Sequence, residues 1–188
     1  MCPTKAEINR PDSRSDNRGS DSQSPDTAGQ SASPHPPADL AERLCLGWRE
    51  WAALPALDIA CIKAKVDTGA RTSCLHAYRT EPYTQDGERR VRFWVHPEQN
   101  NLHASVECDA RVIDERQVTD SGGHQELRLV IETTLVVGDT SWPIEMTLTN
   151  RDSMRFRMLI GRTAMAGRCV VSPESSYLAG KPVLREQT

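Results

Sequence analysis

The chain has 188 residues, 37% of them hydrophobic and 26% charged, with a formal net charge of −3 and a mean hydropathy of −0.57. No block of like charge stands out after residue 38 and no apolar run approaches the roughly 18 residues of a membrane-spanning helix, so neither nucleic acid nor a membrane is expected as a partner. The start, Met-Cys-Pro-Thr-Lys-Ala-Glu, lacks the apolar core of an export signal, which points to a cytoplasmic protein with free thiols at Cys2, Cys45, Cys61, Cys74, Cys108 and Cys169.

From Pro11 to Pro37 there is no Val, Ile, Leu, Met, Phe, Trp, Tyr or Cys. Such a stretch buries too little apolar surface to offset the entropy of ordering. Residues 1–38 are therefore expected to be a flexible tail and residues 39–188 a single domain. Ala38–Leu44 reads as a short helix. Beyond it, short runs of Val, Ile, Leu, Trp and Thr punctuated by Gly, Pro, Asn and Asp predict an all-β domain. The expected strands are Asp58–Val66, Arg90–His96, Ala104–Val112, Glu126–Val137, Trp142–Asn150 and Arg157–Ile160. Gly138-Asp139-Thr140-Ser141 is the expected turn of an antiparallel hairpin, because Gly and Asp tolerate positive φ. Thr163–Gly167 is a second short helix, stopped by Gly167.

The strand ending at Val66 runs into Asp67-Thr68-Gly69-Ala70. A glycine there lets the chain turn tightly, a threonine anchors the loop through its hydroxyl, and the aspartate is held where a reacting water can sit. A strand-end Asx turn accounts for the tripeptide equally well. A second element follows ninety-odd residues on, where apolar residues run through Leu159-Ile160 into Gly161-Arg162 and a helical pattern. Between the two, Ser121-Gly122-Gly123 has the composition of a hairpin tip.

In this order the elements resemble the retropepsins, the aspartic proteases of retroviruses. A closer likeness is to a bacterial family of retropepsin-like proteins often labelled ATP-dependent zinc proteases, some of which accompany or are fused to ATP-grasp glutamate ligases that modify a ribosomal protein. The segments that carry it are Gly47-Trp48-Arg49-Glu50-Trp51, Ile62 to Ser73, Arg116-Gln117-Val118, Thr149-Asn150-Arg151-Asp152 and Met154 to Ala164. The resemblance implies a closed retropepsin-like β-barrel with a flap hairpin at Gly122 and Gly123 and a short helix after the second motif. It makes Asp67, supported by Thr68 and Gly69, the catalytic carboxylate, and Gly161 and Arg162 structural.

Aspartic protease chemistry needs two carboxylates that share a proton. One Asp-Thr-Gly is present, so the second Asp67 is expected from a homodimer, with Asp120 of Asp120-Ser121-Gly122 as the single-chain alternative. Departures from the retroviral pattern bear on specificity. Lys65 replaces an apolar residue, and Arg71 replaces an aspartate that pairs with the arginine at Arg162, whose partner here is open. With Ala70, Gly122 and Gly123 they are expected to bind substrate, making a peptide or protein tail rich in acidic residues the natural guest and an ATP-grasp glutamate ligase a possible partner. Otherwise Lys65 reaches solvent and Arg71 pairs with an acid such as Glu81.

No cofactor is expected. There is no His-Glu-x-x-His or Cys-x-x-Cys, His76, His96, His103 and His124 have no ligand-like spacing, and no Gly-rich phosphate loop is present. A Cys74–His76 nucleophile is poorly preorganised at i, i+2. A zinc protease and a non-catalytic acidic-peptide-binding module are the competing readings.

Overall fold

A computed structural model describes residue 40 and residues 42–184, apart from 100, 102, 120, 121 and 151–154. The tail expected over residues 1–38, Asp120, Ser121 and Arg151-Asp152 lie outside the described residues. So do residues 38, 39 and 41 of the helix expected over Ala38–Leu44; residues 40 and 42 are in 3-10 turns, and the last residue, Leu44, begins a strand instead.

Period-two burial is the signature of the strands. In β3 (Ile59–Val66), Ile62, Ala64 and Val66 are buried while Lys63 and Lys65 lie on the opposite face. The other elements are β1 (Leu44–Gly47), β2 (Arg49–Leu54), β4 (Ser73–His76), β5 (Arg79–Gln85), β6 (Glu88–Val95), β7 (Val106–Thr119), β8 (Gln125–Val137), β9 (Thr140–Thr149), β10 (Met158–Ile160), α1 (Arg162–Met165) and β11 (Cys169–Ser172). The six expected strands correspond to β3, β6, β7, β8, β9 and β10, and α1 stands one residue before the expected second helix. The described residues are all-β apart from α1 and short 3-10 turns, and no helix among them is long and apolar enough to cross a membrane.

Nine strands form one sheet in the order β2-β3-β10-β4-β9-β8-β7-β6-β5, and an added pairing of Ala53 with Val136 joins β2 to β8. That contact closes a six-strand ring. Inside it Leu54, Ile62, Leu75, Ile131, Leu135, Met146, Met158 and Ile160 are almost wholly buried, each contributing about 1.5–3 kcal/mol of apolar burial. Beyond the ring the sheet continues through β7 and β6 to the polar edge strand β5, whose Pro82 suits an edge that receives no further strand.

The β8–β9 hairpin turns through Gly138-Asp139, since Val137 pairs with Thr140 and Gly138 takes φ +60°. At its other end β8 leaves β9, because that pairing begins only at Val130. From there β8 and β7 continue as a ribbon of two strands, from a register shift between Val112 and Asp114 out to the pair Thr119–Gln125. Gly122 and Gly123 lie at its tip, Gly123 with φ +84°.

The chain after β11 returns across β1 and β2. Glu50 is fully buried, and its carboxylate accepts hydrogen bonds from the N–H groups of Gly47 (2.6 Å), Leu178 (2.9 Å) and Ala179 (3.3 Å). A buried carboxylate persists only with such a set of donors. Gly47 is required by contact, since a Cβ there would meet the Ser175 carbonyl oxygen at 2.4 Å.

Candidate active site

β3 delivers Asp67 to the end of the ring, where its N–H donates to the Ile160 carbonyl at 2.9 Å. Its Oδ1 accepts from the N–H groups of Gly69 (3.0 Å) and Ala70 (3.1 Å), the Asx turn that the sequence allows. Its Oδ2 faces the Lys65 ammonium at 3.5 Å. One oxygen thus fixes the loop and the other faces Lys65.

Residues far along the chain complete the loop. Arg162 N–H donates to the Ala70 carbonyl, and the Thr163 N–H and hydroxyl both donate to the Arg71 carbonyl, at 2.9–3.1 Å. The Arg162 guanidinium donates from Nη1 to the carbonyls of Thr68 (2.8 Å) and Gly69 (2.9 Å). Its partner is therefore main chain rather than a carboxylate. Gly161 lies against Thr72 and Ser73, its N–H donating to Ser73 Oγ at 3.1 Å, while Thr147 Oγ1 donates to the Ser73 carbonyl. The anchoring expected of the Thr68 hydroxyl is not seen: among the described residues it makes no hydrogen bond, and Asp67 Oδ1 and Arg162 hold the loop instead.

A cavity of about 650 Å³ opens between this loop and residues 116–119 of β7. Asp67, Gly69, Ala70 and Arg71 line one wall. Asp67 is the one carboxylate among its described lining residues, against the four guanidinium groups of Arg71, Arg116, Arg128 and Arg162. Lys65 is on the neighbouring surface, outside the lining, and Gly122 and Gly123 are at the ribbon tip, also outside it. The alternative pairing of Arg71 with Glu81 does not form; Glu81 pairs with Arg79 and Arg71 lies in the field of Glu145.

Arg116 and Arg128 line the cavity held by carboxylates, and sequence reasoning gave neither a role in the site. Arg116 Nε donates to Asp114 (2.6 Å) and Nη1 to Glu145 (2.5 Å), and these hydrogen bonds hold both carboxyls below the usual carboxylate range. Arg128 is 7% exposed, with Nε donating to Glu126 at 2.7 Å. The available signal was the two-residue period: Arg116 and Val118 share a face of β7, as Glu126 and Arg128 do on β8.

Among the described residues no group of three or more His, Cys, Asp or Glu side chains gathers as a metal site. Cys45, Cys61, Cys74, Cys108 and Cys169 are in no disulfide, and burial pushes the Cys108 thiol pKa up to about 12 and that of Cys169 to about 11.

A carboxylate in an Asx turn at a strand end, braced by a Gly-Arg segment that enters a helix and faced by a hairpin ribbon, is the arrangement of the retropepsin-like fold. The family model described as "RimB-like: Retropepsin-like aspartic endopeptidase RimB" matches residues 45–182, and the chain belongs to that family. Proteins named probable alpha-L-glutamate ligase are similar to it: one from Parasynechococcus marenigrum is 45% identical over 141 residues, and one from Shewanella pealeana is 43% identical over 139. Those matches cover 75% and 74% of this chain but 30% of each relative, so the chain spans under a third of their length. A crystal structure of a Legionella pneumophila protein of unknown function superposes with a TM-score of 0.62 at 24% identity, over 72% of this chain and 97% of that one. That likeness concerns the fold.

Proposed function

We propose that the protein is an aspartic peptidase that hydrolyses acidic peptide segments, poly-glutamate among them, with its two catalytic carboxylates supplied by Asp67 of each subunit of a homodimer. The observation that carries this reading is the fixed Asp67 carboxylate in a cavity lined by four arginines. With one proton shared between the two carboxylates, the ionised one takes a proton from water as the water attacks the peptide carbonyl. The protonated one gives its proton to the carbonyl oxygen. As the C–N bond breaks, the newly protonated carboxyl gives its proton to the departing amine nitrogen while a hydroxyl of the tetrahedral intermediate returns its proton to the other carboxylate, and the pair is restored. Lys65 and Arg71 favour acidic side chains near the cleft.

The glutamate ligase names of the relatives fit a substrate made by glutamate addition, and a ligase as working partner. A zinc peptidase or a non-catalytic binder of acidic peptides makes different predictions in one experiment. A protein tail extended with glutamates is incubated with the wild-type chain, a strong chelator and no nucleotide, and followed by mass spectrometry across a dilution series. The expected result is a shortened tail, with a specific rate that falls as sedimentation shows dimer giving way to monomer. An intact tail, or activity restored only by zinc, overturns the proposal; an active monomer moves the second carboxylate elsewhere.

A further inference from the structure

Arg116 and Arg128 are directly paired across the β7–β8 ribbon and both face the Asp67 cavity. Like charges opposite each other on one face of a sheet repel, and here the two guanidiniums are held together by carboxylates: Asp114 and Glu145 on Arg116, Glu126 on Arg128. Burial sharpens the point for Arg128. Its Nε donates to Glu126 Oε2, an oxygen that also accepts from Thr149 Oγ1 at 3.0 Å, and its Nη1 contacts the Cys74 sulfur, a weak acceptor, at 3.8 Å. Among the described residues no hydrogen bond engages Arg128 Nη2. The same holds for Nη2 of Arg116. A guanidinium offers five donors in a planar fork, and the unengaged Nη2 groups are not among the buried unpartnered atoms, so they are open to a ligand in the cavity that both arginines line.

We infer that the Arg116–Arg128 rung is a receptor for a substrate carboxylate, with Arg128 as its principal reader. This deepens the peptidase reading above and rests on it. An incoming carboxylate meets the unengaged Nη2 groups of both guanidiniums across the rung and gains charge-assisted hydrogen bonds from a fork already held in place by Asp114, Glu145 and Glu126. Lysine supplies a point charge but not the fork, so the site distinguishes arginine from lysine. Glu126 is the internal competitor. It occupies the same guanidinium when substrate is absent and weakens the site's hold on an external anion.

The test reads binding rather than hydrolysis, in an Asp67→Asn background. Fluorescence anisotropy compares labelled penta-glutamate, the same peptide with an amidated C-terminus, and penta-glutamine with an amidated C-terminus. Arg128→Gln is expected to weaken penta-glutamate at least tenfold and leave penta-glutamine unchanged. Arg128→Lys is expected to recover only part of the loss. Glu126→Gln, at a half-exposed side chain, is expected to tighten penta-glutamate several-fold. A loss confined to the peptide with a free C-terminus assigns the receptor to the α-carboxylate, and a loss shared by the amidated peptide assigns it to side chains. Equal weakening of all three peptides by Arg128→Gln overturns the inference. Should Arg128→Gln fail to fold, Glu126→Gln decides, since a merely structural Arg128 predicts unchanged or weaker binding there. Charge-selective binding without hydrolysis by the wild type sinks the peptidase reading alone; hydrolysis with charge-blind binding sinks the receptor alone.

Discussion

Asp67→Asn is expected to abolish hydrolysis while the protein melts within a few degrees of wild type. The fold is spared because an asparagine Oδ1 still accepts from Gly69 and Ala70, so the Asx turn survives. What is lost structurally is a 3.5 Å pairing with Lys65, whose side chain is 46% exposed. A pair of that kind contributes about 0–1 kcal/mol. Chemically the loss is large, since neither the proton acceptor nor the shared proton remains, and positioned acid–base groups contribute roughly 10²- to 10⁴-fold. Mass spectrometry of the glutamate-extended tail, beside circular dichroism melting, checks both halves. Undiminished hydrolysis would falsify the assignment of Asp67.

Gly161→Ala is expected to do the reverse, damaging the fold and the site together. A Cβ at 161 would lie 2.5 Å from the Thr72 carbonyl carbon, 2.7 Å from its oxygen and 2.8 Å from the Ser73 nitrogen. None of these atoms is the end of a flexible side chain. Ser73 is fully buried, tied to Gly161 by its hydroxyl and to Thr147 by its carbonyl, so the backbone has nowhere to retreat. Overpacking costs about 1–3 kcal/mol, and the upper part of that range corresponds to a fall in Tm of about 5–12 °C for a domain of this size. Moving Gly161 also withdraws Arg162 from the Thr68 and Gly69 carbonyls, so activity should fall further than stability explains. Gly123→Ala is the control. Nothing stands within 4 Å of its Cβ, and the cost is that of φ +84° alone, about 1 kcal/mol. Equal melting losses in the two variants would refute the packing argument.

The sequence disclosed those elements whose pattern follows directly from the pleat. β3, β8 and β9 alternate or run apolar between turn residues, and the Asp67 segment follows β3 and the Gly161 segment β10 in the expected order. Strands without that pattern were not legible. β4 is buried at all four residues, polar Ser73 and His76 included, so no period shows. β2 hides a glutamate among its apolar positions, because Glu50 serves backbone N–H groups of the chain near Leu178 and Ala179. β5 is polar on both faces and holds a proline, which reads as loop. In the site, the residues on one contiguous segment were visible. The Arg116–Arg128 rung was not, since it depends on the register of two strands, and register is a property of the folded hairpin.

The bonds that brace the Asp67 loop join residues very distant in the chain: Gly161 to Ser73 across 88 positions, Arg162 to Thr68 across 94. Glu50 and Ala179 are separated by 129. Contacts of such separation require large loops to close before they return any stabilisation, and domains dominated by them fold on a scale of milliseconds to seconds. A chain synthesised from its N-terminus therefore has the aspartate early and its braces late. Until β10 enters between β3 and β4, Asp67 belongs to an unsupported strand end, so the nascent chain carries the aspartate without its braced loop, and the candidate site is assembled only with the last quarter of the sequence.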